Sequence, residues 1–264
     1  MVLEAKFDDS TIFKKIIDSF KDSVTQINFV CSESGIEAQA IDDSRVLLVT
    51  VSIPPSCFES YRCDRPTTIG VYLASLAKLL KSANTNSSLT LYVADKPDEL
   101  LLLFEEPKNQ KSMEYKLKLV DITADMLEVD SDMKSDVTVE MSSVEFTKTV
   151  RDLTQLSDSF TVSVTKDGIV FSVQGDTAQG KVLLQPREDL ADESNNLSIS
   201  MSKTIDLSFA SKYLLDIIKA ASISNKIFLK FSDDTPALFE FKMEKGGGVG
   251  FYLAPKYDDE DENM

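Results

Sequence analysis

The chain of 264 residues contains no histidine, so no Ser-His-Asp triad, Cys-His pair or imidazole metal ligand can be assembled from it. Catalysis would have to rest on carboxylates, lysine or tyrosine. The three cysteines, Cys31, Cys57 and Cys63, are odd in number and lack C-x-x-C spacing. They read as reduced thiols, with neither a disulfide framework nor a zinc site. The sequence has no G-x-x-x-x-G-K-[ST], G-x-G-x-x-G or G-x-S-x-G, the patterns that cradle phosphates or expose a nucleophile. Two aspartate pairs, Asp42-Asp43 and Asp233-Asp234, could serve a carboxylate hydrolase. Both lie between strand-like segments, where turn chemistry explains them without catalysis. The expectation is a protein with no catalytic residues, no metal and no cofactor.

The residues that stand out are lysines. With 44 acidic and 28 basic side chains the formal net charge is −16, which ordinarily argues for basic protein partners and against nucleic acid. Tyr72 to Ser82 departs from that average. Its leucines and alanines recur at helical spacing, with Leu73, Leu76, Ala77 and Leu80 on one face and Lys78 and Lys81 on the other, and its only charges are positive. Asp9 or Ser10 can cap an earlier helix reaching Phe20, with Ile12, Phe13, Ile16, Ile17 and Phe20 inward and Lys14, Lys15 and Lys21 on or beside the polar side. A third helix turns Lys148 and Arg151 away from Phe146, Val150 and Leu153, and a fourth turns Lys212 and Lys219 away from Leu214, Leu215, Ile217 and Ile218. An exposed helix often carries lysine. Four in succession inside an acidic chain point instead to a concentrated basic surface, with the acid displaced elsewhere.

Around these helices lie alternating or β-branched runs: Leu3 to Phe7, Gln26 to Cys31, Gly35 to Ile41, Val46 to Ile53, Thr67 to Val71, Leu89 to Val93, Leu100 to Phe104 and Glu114 to Leu119. The first half therefore reads as strand, helix and three strands, twice over. From Val137 the pattern returns: Lys166-Asp167-Gly168-Ile169 answers Glu33-Ser34-Gly35-Ile36, and Lys203-Thr204-Ile205-Asp206-Leu207 answers Thr67-Thr68-Ile69-Gly70-Val71. An offset of about 135 residues kept through several landmarks marks an internal duplication. The fold class is α+β, with two similar domains each packing two helices on antiparallel sheets. Expected divisions are residues 1–119, an interdomain connecting loop 120–136, residues 137–257 and an acidic tail 258–264. No run approaches the ~20 apolar residues of a membrane helix, and no signal peptide is evident, so an intracellular chain without membrane contact is expected.

Leu3-Glu4-Ala5-Lys6-Phe7, Ala40-Ile41-Asp42-Asp43-Ser44-Arg45-Val46, Val150 to Ser159 and Leu253-Ala254-Pro255-Lys256 together resemble the eukaryotic sliding-clamp family, that of proliferating cell nuclear antigen. The resemblance runs from Leu3 to Lys256. It implies a DNA-clamp fold closing as a homotrimeric ring around duplex DNA without sequence preference, in the nucleus. The clamp would tether DNA polymerase delta, the clamp loader, flap endonuclease, DNA ligase and other PIP-box proteins. DNA contacts would fall to Lys14, Lys15, Lys21, Lys78, Lys81, Lys148, Arg151, Lys212 and Lys219, since lysine and arginine spread over helices neutralise phosphates without reading bases. By resemblance the partner peptide would meet Ile41, Arg45, Val46, Leu48, Leu127, Val129, Pro236, Tyr252, Ala254, Pro255 and Tyr257. Subunits would join through the strands carrying Tyr115 and Lys118 on one side and Ala178 and Leu184 on the other, and Lys166 would be the ubiquitin or SUMO acceptor. Val2 reads as an extra residue on which nothing functional should depend, and Gly246 to Gly248 as a hairpin turn differing from the family. The alternative from the residues alone is an acidic interaction scaffold with no DNA at its centre.

Overall fold

The computed structural model describes residues 2–95, 98–123, 127, 135–189, 193–233 and 235–256. The chain divides into two compact units, Met1–Val129 with Lys242–Val249, and Asp130–Phe241 with Gly250–Met264. Val129, Tyr257 and the acidic tail, all named above, lie outside the described residues.

In the first unit the elements are β1 (Leu3–Phe7), α1 (Ser10–Phe20), β2 (Gln26–Ser32), β3 (Gly35–Ile41), β4 (Leu47–Ile53), β5 (Ser60–Cys63), β6 (Thr67–Tyr72), α2 (Leu73–Leu79), β7 (Ser88–Val93), β8 (Glu99–Glu106) and β9 (Lys111–Lys118). One sheet has the order β5-β1-β7-β8-β9, and a second run has the order β4-β3-β2-β6. The second unit follows with β10 (Val137–Ser142), α3 (Ser143–Leu153), β11 (Ser159–Thr165), β12 (Gly168–Gln174), β13 (Gln179–Leu184), β14 (Ser198–Met201), β15 (Ile205–Ala210), α4 (Ser211–Ile217), β16 (Lys226–Phe231), β17 (Ala237–Lys242) and β18 (Gly248–Leu253). Its strands run β14-β10-β16-β17-β18 and β13-β12-β11-β15. The short strands β5 and β14 are additions to the sequence reading. Each adds itself to the first strand of its unit, β5 to β1 and β14 to β10, and with four residues each shows too little alternation to register as a period.

The duplication extends to how the helices start. The first N–H of each helix is taken by a carbonyl just ahead of a strand: Ser10 N donates to Ser87 O, Leu73 N to Thr25 O, Ser143 N to Asn225 O and Ser211 N to Asp158 O, all at 2.9–3.0 Å. Only α1 adds a side-chain cap, Asp9 Oδ1 accepting from Thr11 N at 2.9 Å, which leaves the other three dependent on tertiary contacts to begin. Inside each unit a phenylalanine of the first helix is wedged between sheets. Phe13 lies 5.5 Å from Phe7 on β1 and 6.1 Å from Phe29 on β2, and Phe146 lies 6.0 Å from both Phe171 on β12 and Phe239 on β17. Both are fully buried, worth roughly 1.5–3 kcal/mol apiece in transfer alone.

Val2, read as an extra residue, has a structural place in the fold. Val2 is 1% exposed, and its backbone extends the β1 ladder on both sides, with Val2 N donating to Val93 O and Asp64 N to Val2 O, each at 2.9 Å. It is a structural residue of the first sheet.

Candidate functional site

In the first unit α1 and α2 lie side by side. Between them runs a groove of about 280 Å³ lined by Lys14, Asp18, Lys21, Asp22, Ala74, Ala77, Lys78 and Lys81. Four of the nine lysines and arginines expected to face DNA therefore converge on one concavity. Ala77, expected inward with the leucines, is half-buried in this groove; a methyl group there leaves room for the flanking lysine stems. Lys15 is exposed and is not among the residues lining the groove. Lys21 is the most restrained of the set, its Nζ lying 2.6 Å from Asp18 Oδ1, one turn back on the same helix.

The helices of the second unit repeat the theme with different restraints. Lys148, Arg151, Lys212 and Lys219 are all exposed. Lys219 pairs with Asp216 at 2.8 Å, and Lys212 lies 4.6 Å over the ring of Tyr213. The Lys219–Asp216 pair spans one turn and is partly exposed to solvent, so it holds the lysine only loosely against a competing phosphate.

The second surface gathers around the turn between β3 and β4. Asp42 organises it: the buried carboxylate accepts from Ser44 N at 3.1 Å, Val46 N at 2.8 Å and Leu47 N at 2.7 Å. The carboxylate is committed to the turn, which answers the hydrolase alternative for that pair. Asp233 is likewise engaged, 2.7 Å from Lys203 Nζ, while Asp234 lies outside the described residues. Arg45 sits in the left-handed region at φ 57° and is exposed, Val46 and Leu48 are half-buried, and Ile41 is 41% exposed. Leu127 is 48% exposed. Its backbone is gripped by the side chain of Gln39, Nε2 donating to Leu127 O and Leu127 N donating to Oε1, both at 3.0 Å. Upstream, Val120 N donates to Gly70 O at 2.9 Å and Asn28 Nδ2 to Ile122 O at 2.9 Å. Sequence reasoning missed Asn28, Gln39 and Gly70. Only the glycine left a signal, an isolated Gly in a strand marking close backbone approach.

In the second unit Pro236 is exposed and Tyr252, Ala254 and Pro255 are half-buried. Burial pushes the Tyr252 phenol upward, with the Glu240 charge adding to it. Lys256 N donates to Ser208 O at 2.7 Å, anchoring the end of this run on β15. Lys166 is exposed in the turn between β11 and β12.

β9 and β13 are both terminal strands of their sheets. Tyr115 on β9 has its hydroxyl 2.9 Å from Ser82 Oγ and its ring edge-on to Phe104 at 5.9 Å. Lys118 is exposed, Ala178 is exposed just before β13, and Leu184 is half-buried. Beside it Leu183 is 48% exposed, an apolar side chain on a terminal strand that the sequence reading passed over.

Two sequence models of one family match most of the chain: "Proliferating cell nuclear antigen, N-terminal domain" over residues 2–128 and "Proliferating cell nuclear antigen, C-terminal domain" over residues 130–256. The chain belongs to the proliferating cell nuclear antigen family. It is similar to the protein of that name from Saccharomyces cerevisiae, 46% identical over 260 residues that cover 98% of this chain and all of the relative. The Chaetomium thermophilum protein is 38% identical over the same shares, and that of Caenorhabditis elegans is 36% identical over 264 residues, the whole of both. The family is the eukaryotic DNA sliding clamp, a nuclear homotrimer that serves as processivity factor for DNA polymerases and binds replication and repair proteins, with no catalysis of its own. The proliferating cell nuclear antigen fold thus accounts for an acidic chain that works on DNA.

Proposed function

We propose that in this chain the clamp function is divided among four groups of residues. Lys14, Lys15, Lys21, Lys78, Lys81, Lys148, Arg151, Lys212 and Lys219 face the duplex and exchange phosphates as it passes. The observation that carries this reading is the convergence of Lys14, Lys21, Lys78 and Lys81 on one groove in a chain of net charge −16. Dispersed ammonium groups neutralise phosphates without reading bases, which suits sliding, and acid elsewhere keeps DNA off other faces. The test is polymerase stimulation on primed circular DNA. Replacing Lys78, Lys81 and Lys219 by alanine should weaken stimulation and flatten its salt dependence while trimer mass is kept. Unchanged stimulation and salt slope would assign DNA contact to other residues, and no retention on circular DNA, the form that keeps a topological clamp and loses it once linearised, would favour the acidic scaffold.

Partner motifs dock, in this reading, on Ile41, Arg45, Val46, Leu48 and Leu127, with Pro236, Tyr252, Ala254 and Pro255 also contributing; Val129 and Tyr257 are carried by the family resemblance alone. Exposed aliphatic side chains beside a turn stiffened by Asp42 suit a short PIP-box peptide. DNA polymerase delta, the clamp loader, flap endonuclease and DNA ligase would compete for it. Subunits join by adding β9 of one copy, with Tyr115 and Lys118, to β13 of the next, with Ala178 and Leu184, a head-to-tail contact that closes under rotation. Lys166, exposed in a turn, is the proposed modification site.

A further inference from the structure

Three residues the sequence reading passed over form a row. Asn28 on β2 lies opposite Gly70 on β6 and opposite Gln39 on β3, so the three positions are neighbours across adjacent strands. Each meets the segment that leaves β9. Gly70 O accepts from Val120 N, Asn28 Nδ2 donates to Ile122 O, and Gln39 binds both backbone groups of Leu127. The order along the segment, 120 then 122 then 127, is the order of the strands β6, β2 and β3. A Cβ at Gly70 would stand 2.1 Å from Val120 O and 2.9 Å from Asn28 Oδ1, so a side chain there would lift the segment off at its first point of attachment. The Gln39 amide supplies one donor and one acceptor to one residue's backbone, as a neighbouring strand would. Gln39 and Ile41 share a face of β3, so the residue that grips Leu127 is two positions from the other exposed aliphatic side chain, Ile41.

We propose that the row Gly70, Asn28 and Gln39 is a docking track for Val120, Ile122 and Leu127, and that Gln39 is a positioning residue that pre-orders Leu127 for the partner peptide. The inference rests on the peptide-site reading above and adds its energetic origin. Fixing Leu127 before the partner arrives removes an ordering cost from the binding step, so loss of the grip weakens binding without removing any atom that touches the peptide.

The experiment uses the full-length trimer, a synthetic PIP-box peptide in calorimetry, and amide hydrogen exchange at Leu127. Gln39→Ala should weaken the peptide by about fivefold to tenfold and speed exchange of the Leu127 N–H. Gln39→Glu keeps an acceptor for that N–H and should retain slow exchange. Because Gln39 acts through Leu127, Gln39→Ala with Leu127→Ala should bind no more weakly than Leu127→Ala alone. Wild-type affinity in Gln39→Ala, where Leu127→Ala is weakened, overturns the positioning role and leaves the peptide site standing. Losses that add in the double variant also overturn it. Wild-type affinity in Leu127→Ala overturns the peptide site itself and the positioning inference with it.

Discussion

At the scale of single residues, a side chain outside the proposed contact set fixes the turn on which its members stand. Asp42 spends its carboxylate on three backbone N–H groups, and that turn sets the spacing of Ile41, Val46 and Leu48. Truncating a contact residue in so small an interface commonly costs over ~1–2 kcal/mol, roughly tenfold in affinity. Leu127→Ala and Ile41→Ala should each weaken a PIP-box peptide by about that factor with trimer mass unchanged, as calorimetry and native mass measurement would report. Gly247 is fixed by space as well as conformation: φ is +66°, and a Cβ would stand 2.2 Å from Ser52 O. Ser52 O is backbone and cannot swing aside. Gly247→Ala should therefore destabilise the first unit by about 1–3 kcal/mol, visible as a lower denaturant midpoint at an unchanged slope.

Among elements, a polar network ties the turn between β8 and β9 to the start of α1. The buried side chain of Glu106 accepts from Asn84 Nδ2 at 3.1 Å and Asn109 Nδ2 at 2.7 Å. Asn84 in turn meets Ser10 at the start of α1, its backbone N–H donating to Ser10 Oγ at 3.0 Å. The Asn109 and Asn84 hydrogen bonds hold the Glu106 carboxyl below its ordinary value of 4.5, with Lys111 adding to them. A carboxylate whose folded value is depressed contributes stability that is present at neutral pH and lost as pH falls through the folded value. Unfolding measured across the acid range should show that loss below about pH 4.5 in the wild type. Glu106→Gln, which cannot ionise, should show a shallower acid limb, and an unchanged limb would remove Glu106 from the account.

For the whole molecule the prediction concerns closure. A terminal strand leaves its outer N–H and C=O groups unpaired, and β13 has no fully buried residue, as befits a strand awaiting a neighbour. Leu183→Asp places a charge on that edge, so at micromolar concentration its mass should shift from trimer toward monomer, while peptide binding to the remaining folded chain persists. A wild-type trimer in this variant would move the proposed contact away from β13.

Much of this was legible in the sequence for a local reason. A helix or strand declares its buried face through periodicity, so the stripes of α1 to α4, the long strands and the duplication could be read from residue order. The lysines opposite those stripes followed from the same geometry, and the absence of histidine narrowed the available chemistry. What tertiary structure alone decided are contacts between positions far apart in sequence. Gln39 and Leu127 are 88 residues apart and Asn28 and Ile122 94, and an exposed-looking amide carries no local signal of the backbone it will bind. Val2 read as an extra residue because its backbone partners, Asp64 just past β5 and Val93 on β7, fold back from elsewhere. Sequence set which faces are buried, because burial is a property of one element; the register between elements belongs to the assembled sheet, because it depends on which strand lies alongside which.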